Sequence, residues 1–179
     1  RCAQPKRGRL PPGSVIPISE ETDRIVRIGE LVLREACEQA SKWTAIGLPP
    51  ILVSANISAR QFREKGLLEK MQKTIKRSGV NPGRICLELT ESVLMEDPFA
   101  AIETIRSLKE TGICLALDDF GTGFSSLNYL RRFPVDTLKI DRSFISDLLT
   151  DPGAAGVINS VISLARHLGL MTLAEGVET

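Results

Sequence analysis

Histidine is nearly absent from this 179-residue sequence and occurs only as His167, inside a helical pattern. Acid–base or metal chemistry must therefore fall on carboxylates, amides and lysines. Cysteine is sparse, and Cys2, Cys37, Cys86 and Cys114 stand far apart. Three of them lie within helix or strand patterns, where a thiol behaves as a small hydrophobe. Reduced thiols in a cytoplasmic core are expected, rather than disulfides or a zinc site. A charge excess is also missing, with 23 basic and 22 acidic residues and a net charge of +1. Bulk attraction to a DNA or RNA polymer or to a membrane surface is not expected. No apolar run reaches bilayer length, and the basic N-terminus lacks the apolar stretch of a signal peptide. A soluble, cytoplasmic segment without membrane insertion follows, although a parent protein could still be membrane-anchored.

What is present is an ordinary globular composition, 42% hydrophobic and 25% charged, in a chain long enough for one domain with a sizeable core. The opening "RCAQPKRGRLPPGSVIP" is rich in proline, glycine and arginine and reads as loop. A long amphipathic helix follows, with Ser19 or Thr22 as candidate caps and Gly47, Pro49 and Pro50 as its stop. Beyond it the chain alternates between short β-type runs and amphipathic stretches. The strands are "ILVSAN", "RICLELTE", "ICLALDDF", "TLKID" and "MTLAEGVE". Between the first two, "ARQFREKGLLEKMQKTIKRSG" reads as one helix. Short connections between such units predict parallel strands joined by crossover helices, an α/β fold.

A polar residue recurs at or near the C-terminal end of each strand: Asn56, Glu88, Asp118, Lys139 and Glu175. Their separations are 32, 30, 21 and 36 residues, roughly one βα unit each. Parallel strands deliver such residues to one rim, the active-site face of a β/α barrel or the crevice of an open sheet. A single acidic strand end is usually a solvated terminus or a cap; five strand ends in a row, all charged or amide, argue against that reading. Alternation places Cys86, Glu88 and Thr90 on one face and Leu87, Leu89 and Glu91 on the other. By the same rule Asp118 points inward with Cys114 and Ala116, and Asp119 is expected to swing to the opposite side unless the strand is already ending, for which Gly121 and Gly123 supply the freedom.

These donors are hard oxygens, suited to Mg²⁺ or Mn²⁺ rather than zinc. Two adjacent aspartates could serve two cations about 3.5–4 Å apart, an arrangement that activates water and stabilises a phosphoryl leaving group. Divalent ions between the carboxylates also make their mutual repulsion tolerable. Lys139 could neutralise phosphate charge, and Glu175 could orient or deprotonate a water. Metal-dependent hydrolysis of a phosphate ester is the chemistry these residues favour. The "GTGFSS" segment lacks the P-loop lysine and the dinucleotide fingerprint spacing, and reads as a turn into a helix capped by Ser125.

The segments "SANIS", "LELTES", "LDDFGTGFSSLNYLRRFPVDTLKIDRSF" and "LAEGVET" resemble, in order and spacing, the motifs of the bacterial EAL domain. The resemblance runs over essentially the whole chain. It implies a (β/α)8 TIM-type barrel, of which residues 1–179 cover about five strands as a single partial domain. It also implies a phosphodiesterase that linearises cyclic di-GMP to 5′-pGpG with two Mg²⁺ or Mn²⁺ ions, commonly as a homodimer. Carried over, Asn56, Glu88, Asp118 and Asp119 look like metal ligands. Lys139 and Glu175 look like catalytic residues, Glu175 as general base. Arg1 and Asp141 look like substrate-binding residues. Glu91 and Glu178 resemble glutamates that hold the loop after the paired aspartates.

The sequence departs from the family pattern at both ends. The Glu-Ala-Leu motif is absent because the chain begins at the arginine that follows it. Cys2 and Gln4 stand where tryptophan and histidine are common. The first two strands and the last are expected to lie outside this sequence, within a longer polypeptide. An inactive cyclic di-GMP receptor or interaction module is the alternative reading, and the residue four positions before Arg1 would discriminate. An unrelated metal-dependent barrel, such as an aldolase or enolase relative, would explain the acidic strand ends but not the "DDFGTG…KID" block.

Overall fold

A computed structural model of the chain describes residues 2–4, 8–22, 24–122, 127–148 and 150–177. The N-terminal segment forms a small antiparallel hairpin of β1 (Cys2–Gln4) and β2 (Gly8–Leu10), followed by helix α1 (Pro12–Glu21). The expectation of a loop there is corrected. Pro12 occupies the first helical turn, where a missing N–H leaves no bond unmade, so its proline marks a start. Ser19 lies inside α1 and donates to the Val15 carbonyl at 2.7 Å, while Thr22 ends that helix. Neither caps the long helix α2 (Arg24–Ala45).

Strand β3 (Val53–Asn56) opens the main sheet. The single helix expected after it is two, α3 (Ala59–Phe62) and α4 (Leu67–Ser78). Ser58 and Gln61 close a capping box on α3, and Gly66 breaks the run with φ 86°, a left-handed conformation glycine adopts without penalty. After a 3₁₀ turn come β4 (Ile85–Thr90), α5 (Glu91–Glu96), α6 (Pro98–Lys109) and β5 (Cys114–Phe120). The chain continues through α7 (Leu127–Leu130), β6 (Thr137–Ile140), α8 (Arg142–Asp147), α9 (Ala154–His167) and β7 (Met171–Ala174).

The five strands β3 to β7 are parallel and hydrogen-bonded in chain order. The order never reverses, so there is no switch point of the open doubly wound kind; this is five strands of a β/α barrel wall. Register puts Ala55, Leu87 and Leu115 in one row and Asn56, Glu88, Ala116 and Thr137 in the next. The first face packs on the helices. Leu87, Leu89, Leu115, Leu117 and Leu138 form one core with Met71 and Ile75 of α4, Ile105 and Leu108 of α6, and Ile158 and Ala165 of α9. Burial of a large aliphatic side chain contributes about 1.5–3 kcal/mol, so this layer supplies the main drive to fold. The second face carries Ser54, Cys86, Cys114, Ala116 and Thr137, small residues that let polar groups gather beyond them at the strand ends.

Candidate active site

Strand alternation and register together build the rim. Asn56 and Glu88 are register partners at the ends of β3 and β4, and Asp118 pairs with Thr90. Lys139 lies on β6 with its side chain on the same inner face. Glu175 follows β7, and its N–H donates to the Ile140 carbonyl at 3.1 Å, which holds it beside Lys139.

The Lys139 ammonium is the hub. It lies 2.8 Å from Glu88 Oε2, 3.0 Å from Asp118 Oδ1 and 2.5 Å from Glu175 Oε1. Its side chain is 7% exposed, and those of Glu88 and Asp118 are each 11% exposed, while Glu175 is more open at 35%. Burial by itself would push the lysine down. The hydrogen bonds to Glu175, Glu88 and Asp118 reverse this and hold the ammonium charged, well above the ordinary lysine range. Four successive strands thus bring one cationic and three carboxylate groups to one point. The charges do not balance, because three carboxylates meet one ammonium.

The paired aspartates are resolved by a β-bulge. Leu117 pairs with Leu138 and Phe120 with Ile140, so β5 spends three steps where β6 spends two. Asp119 absorbs the extra residue at φ 53°, the sole non-glycine with positive φ among the described residues. Simple alternation would have sent Asp119 into the helix layer and Phe120 into the interior. The bulge instead returns Phe120 to the core, where it is 4% exposed. Asp119 remains in electrostatic reach of Asp118, Asp141 and Glu175, rather than on the opposite side as alternation had suggested. Burial, then these like charges, hold its carboxyl above the usual range, and Lys139 offsets only part of that.

Glu91, at the start of α5, is 3% exposed and accepts the Gly121 N–H at 3.2 Å through Oε2. Its Oε1 is buried and has no hydrogen-bond partner among the described residues. It reaches across from the end of β4 to the backbone that follows the aspartates. Asp141 sits at the rim as the N-cap of α8, accepting from the Ser143 N–H at 2.9 Å and from its hydroxyl. These bonds hold its carboxyl below the usual range. Asn56 is exposed at its strand end. Arg1, Glu178 and Ser125 lie outside the described residues. Sequence reasoning missed α8 itself; glycines two residues after Asp119 and directly after Glu175 were the available sign that something packs closely there.

Among the described residues no three acidic, cysteine or histidine side chains already stand together as a metal cluster. The donors nonetheless fit a hard divalent cation in kind. Glu88, Asp118 and Glu175 already place oxygens within 3.0 Å of one cationic centre, with Asn56 and Asp119 on the same rim.

The EAL domain family model matches residues 1–179. The chain belongs to the EAL domain family. MucR of Pseudomonas aeruginosa, a bifunctional diguanylate cyclase/cyclic di-GMP phosphodiesterase, is 41% identical over 179 residues, which is 100% of this chain and 26% of MucR. An uncharacterised Sinorhizobium fredii protein, y4lL, is 40% identical over 178 residues, 99% of this chain and 21% of its own length. The solved structure of the MucR phosphodiesterase in complex with c-di-GMP superposes with a TM-score of 0.96 at 41% identity, over 100% of this chain and 72% of that one. This EAL chain therefore spans about a quarter of the length of its curated relatives. Its five-stranded arc is the corresponding part of the EAL barrel.

Proposed function

We propose that this EAL chain carries most of the catalytic rim of a cyclic di-GMP phosphodiesterase that yields linear 5′-pGpG. In the reaction a water oxygen bonds to one phosphorus and the P–O3′ bond breaks. The 3′-oxygen takes up a proton, and a 5′-phosphate remains. The observation that carries this reading is the convergence of Glu88, Asp118 and Glu175, from three strands, on Lys139.

Asn56, Glu88, Asp118 and Asp119 are the residues that would hold Mg²⁺ or Mn²⁺, two ions in this reading. When bound, such ions lower the pKa of water and neutralise charge developing on the phosphoryl group. Glu175 is the most solvent-accessible of the three carboxylates around Lys139, and takes the proton of the attacking water. The Lys139 ammonium stays protonated throughout and supplies a fixed positive charge to the phosphate. Glu91 holds the backbone after the aspartates through Gly121. Arg1 and Asp141 contact the dinucleotide, and Glu178 assists Glu91. The MucR relative and its c-di-GMP complex support the choice of substrate. The protein acts in the cytoplasm as a homodimer.

The test is turnover of cyclic di-GMP by the full-length protein with Mg²⁺ or Mn²⁺, alongside Asp118→Asn and Glu175→Gln. Appearance of 5′-pGpG, lost in both variants, is the expected result. Tight binding without turnover would overturn the enzymatic reading in favour of a receptor.

A further inference from the structure

Two rim residues of the proposed site are each followed closely by a glycine with positive φ, Gly121 at 95° after Asp119 and Gly176 at 73° after Glu175. Neither glycine has room for a side chain, and the obstacle in both cases is α8. A Cβ at Gly121 would lie 2.9 Å from the Phe144 ring, and one at Gly176 would collide with the Arg142 side chain. Such approaches force something to move, because close-packed interiors do not yield locally. Phe144 is half-buried and packs against the core, so its ring is not free to swing away.

The Gly121 backbone is also held through its N–H, by Glu91. The Asp118–Asp119 bulge therefore runs into a segment held by both the Glu91 carboxylate and the Phe144 ring. The helix that bears Phe144 starts three residues after Lys139 and is fixed there by its Asp141 cap. One short rigid path thus links the Lys139 hub, the aspartate bulge and the Glu175 turn.

We propose that α8 is the positioning element of this site, with Phe144 setting the placement of Asp119 and Arg142 that of Glu175. A strained residue such as Asp119 persists only where its surroundings over-determine it, and Phe144 supplies that constraint. The Phe144 ring offers no donor atom to a cation, and acts through the backbone of residues 119–121.

The inference rests on the phosphodiesterase reading for its turnover measurement, but Mn²⁺ binding tests it independently. Free Mn²⁺ is followed by electron paramagnetic resonance during titration of the full-length protein, in parallel with cyclic di-GMP turnover. Phe144→Ala weakens Mn²⁺ binding about tenfold and lowers kcat by a similar factor, with KM within about twofold, as expected for misplacement of reacting groups. Phe144→Leu, which keeps most of the bulk and is the safer variant for folding, recovers the greater part of both. Ile105→Ala, deep in the helix layer, serves as control: it lowers the melting temperature but leaves Mn²⁺ affinity unchanged. If wild-type protein binds Mn²⁺ but turns nothing over, the activity reading fails while the Mn²⁺ comparison still decides the positioning role. Wild-type-like Mn²⁺ affinity in folded Phe144→Ala, or an equal loss in Ile105→Ala, overturns the proposal.

Discussion

Two lysine–carboxylate clusters stand at opposite ends of the same sheet, and they are built for different ends. At the N-terminal end Lys109 of α6 meets Asp136 at 2.7 and 2.8 Å and also donates to the Ile113 carbonyl. Asp136 accepts the Leu115 N–H at 2.7 Å, while its own backbone bonds to Leu115 and Met171. One positive charge faces one negative charge, and the surplus lone pairs are occupied by backbone. That cluster ties α6, β5, β6 and β7 together and leaves nothing over. At the C-terminal end one lysine faces three carboxylates and a fourth, Asp119, lies close by. Folding alone does not call for such an excess of buried negative charge, which is strongly disfavoured without a counter-cation. The difference is an uncompensated negative charge at one end, against a clasp with matched charges at the other.

The sharpest way to break this comparison is to remove the hub. Lys139→Met should destabilise the metal-free protein by about 3–5 kcal/mol, the usual consequence of orphaning buried charge. Added Mn²⁺ should restore part of the loss, read as a larger Mn²⁺-induced rise in melting temperature than wild type shows. Asp118→Asn should behave in the opposite sense. It should lower turnover by about 10²–10³-fold while metal-free stability barely changes, because the remaining charges are closer to balance.

At the other end, Asp136→Ala should cost about 1–3 kcal/mol of stability by leaving the Leu115 N–H and Lys109 unpaired. Turnover per folded molecule should be retained, and a selective loss of kcat there would erase the contrast between the two ends. The smallest effect concerns Cys86, on the inner face between them. Burial, with smaller contributions from Cys114 and Glu88, pushes its thiol up to about 11 from 9.0. Above pH 9 the unfolded thiol has lost a proton that the folded one retains, so the native state binds more protons. Stability therefore falls as pH rises from about 9 to about 11. Cys86→Ala should flatten that fall in urea denaturation measured across the range.

Much of the fold was legible because parallel strands buried on one face write themselves as short aliphatic runs ending in a polar residue. Leu87, Leu89, Leu115 and Leu117 declared the helix layer, and Cys86, Glu88 and Asp118 the inner face. The N-terminal hairpin and α1 were missed because prolines and glycines punctuate both loops and element ends, and Pro12 was doing the latter. The break at Gly66 was hidden for a related reason, since the apolar period continues across it. Among the candidate site residues, spacing singled out Asn56, Glu88, Asp118, Lys139 and Glu175, the last four of which stand together in the fold. The roles of Phe144 and Arg142 were not, since contact across α8 leaves no periodic trace.

The sequence alone determined the kind of chemistry available: hard oxygen donors, one lysine, no histidine at the rim, and a strand rhythm that gathers them. The EAL motifs carried the family as well. Tertiary structure decided where each charge ended up. A one-residue bulge kept Asp119 at the rim and returned Phe120 to the core, because only pairing with β6 defines the register. Three carboxylates became one site because Lys139 lies within 3.0 Å of all of them, across 51 residues of sequence to Glu88. Charge balance depends on distance in space, and no linear pattern records it.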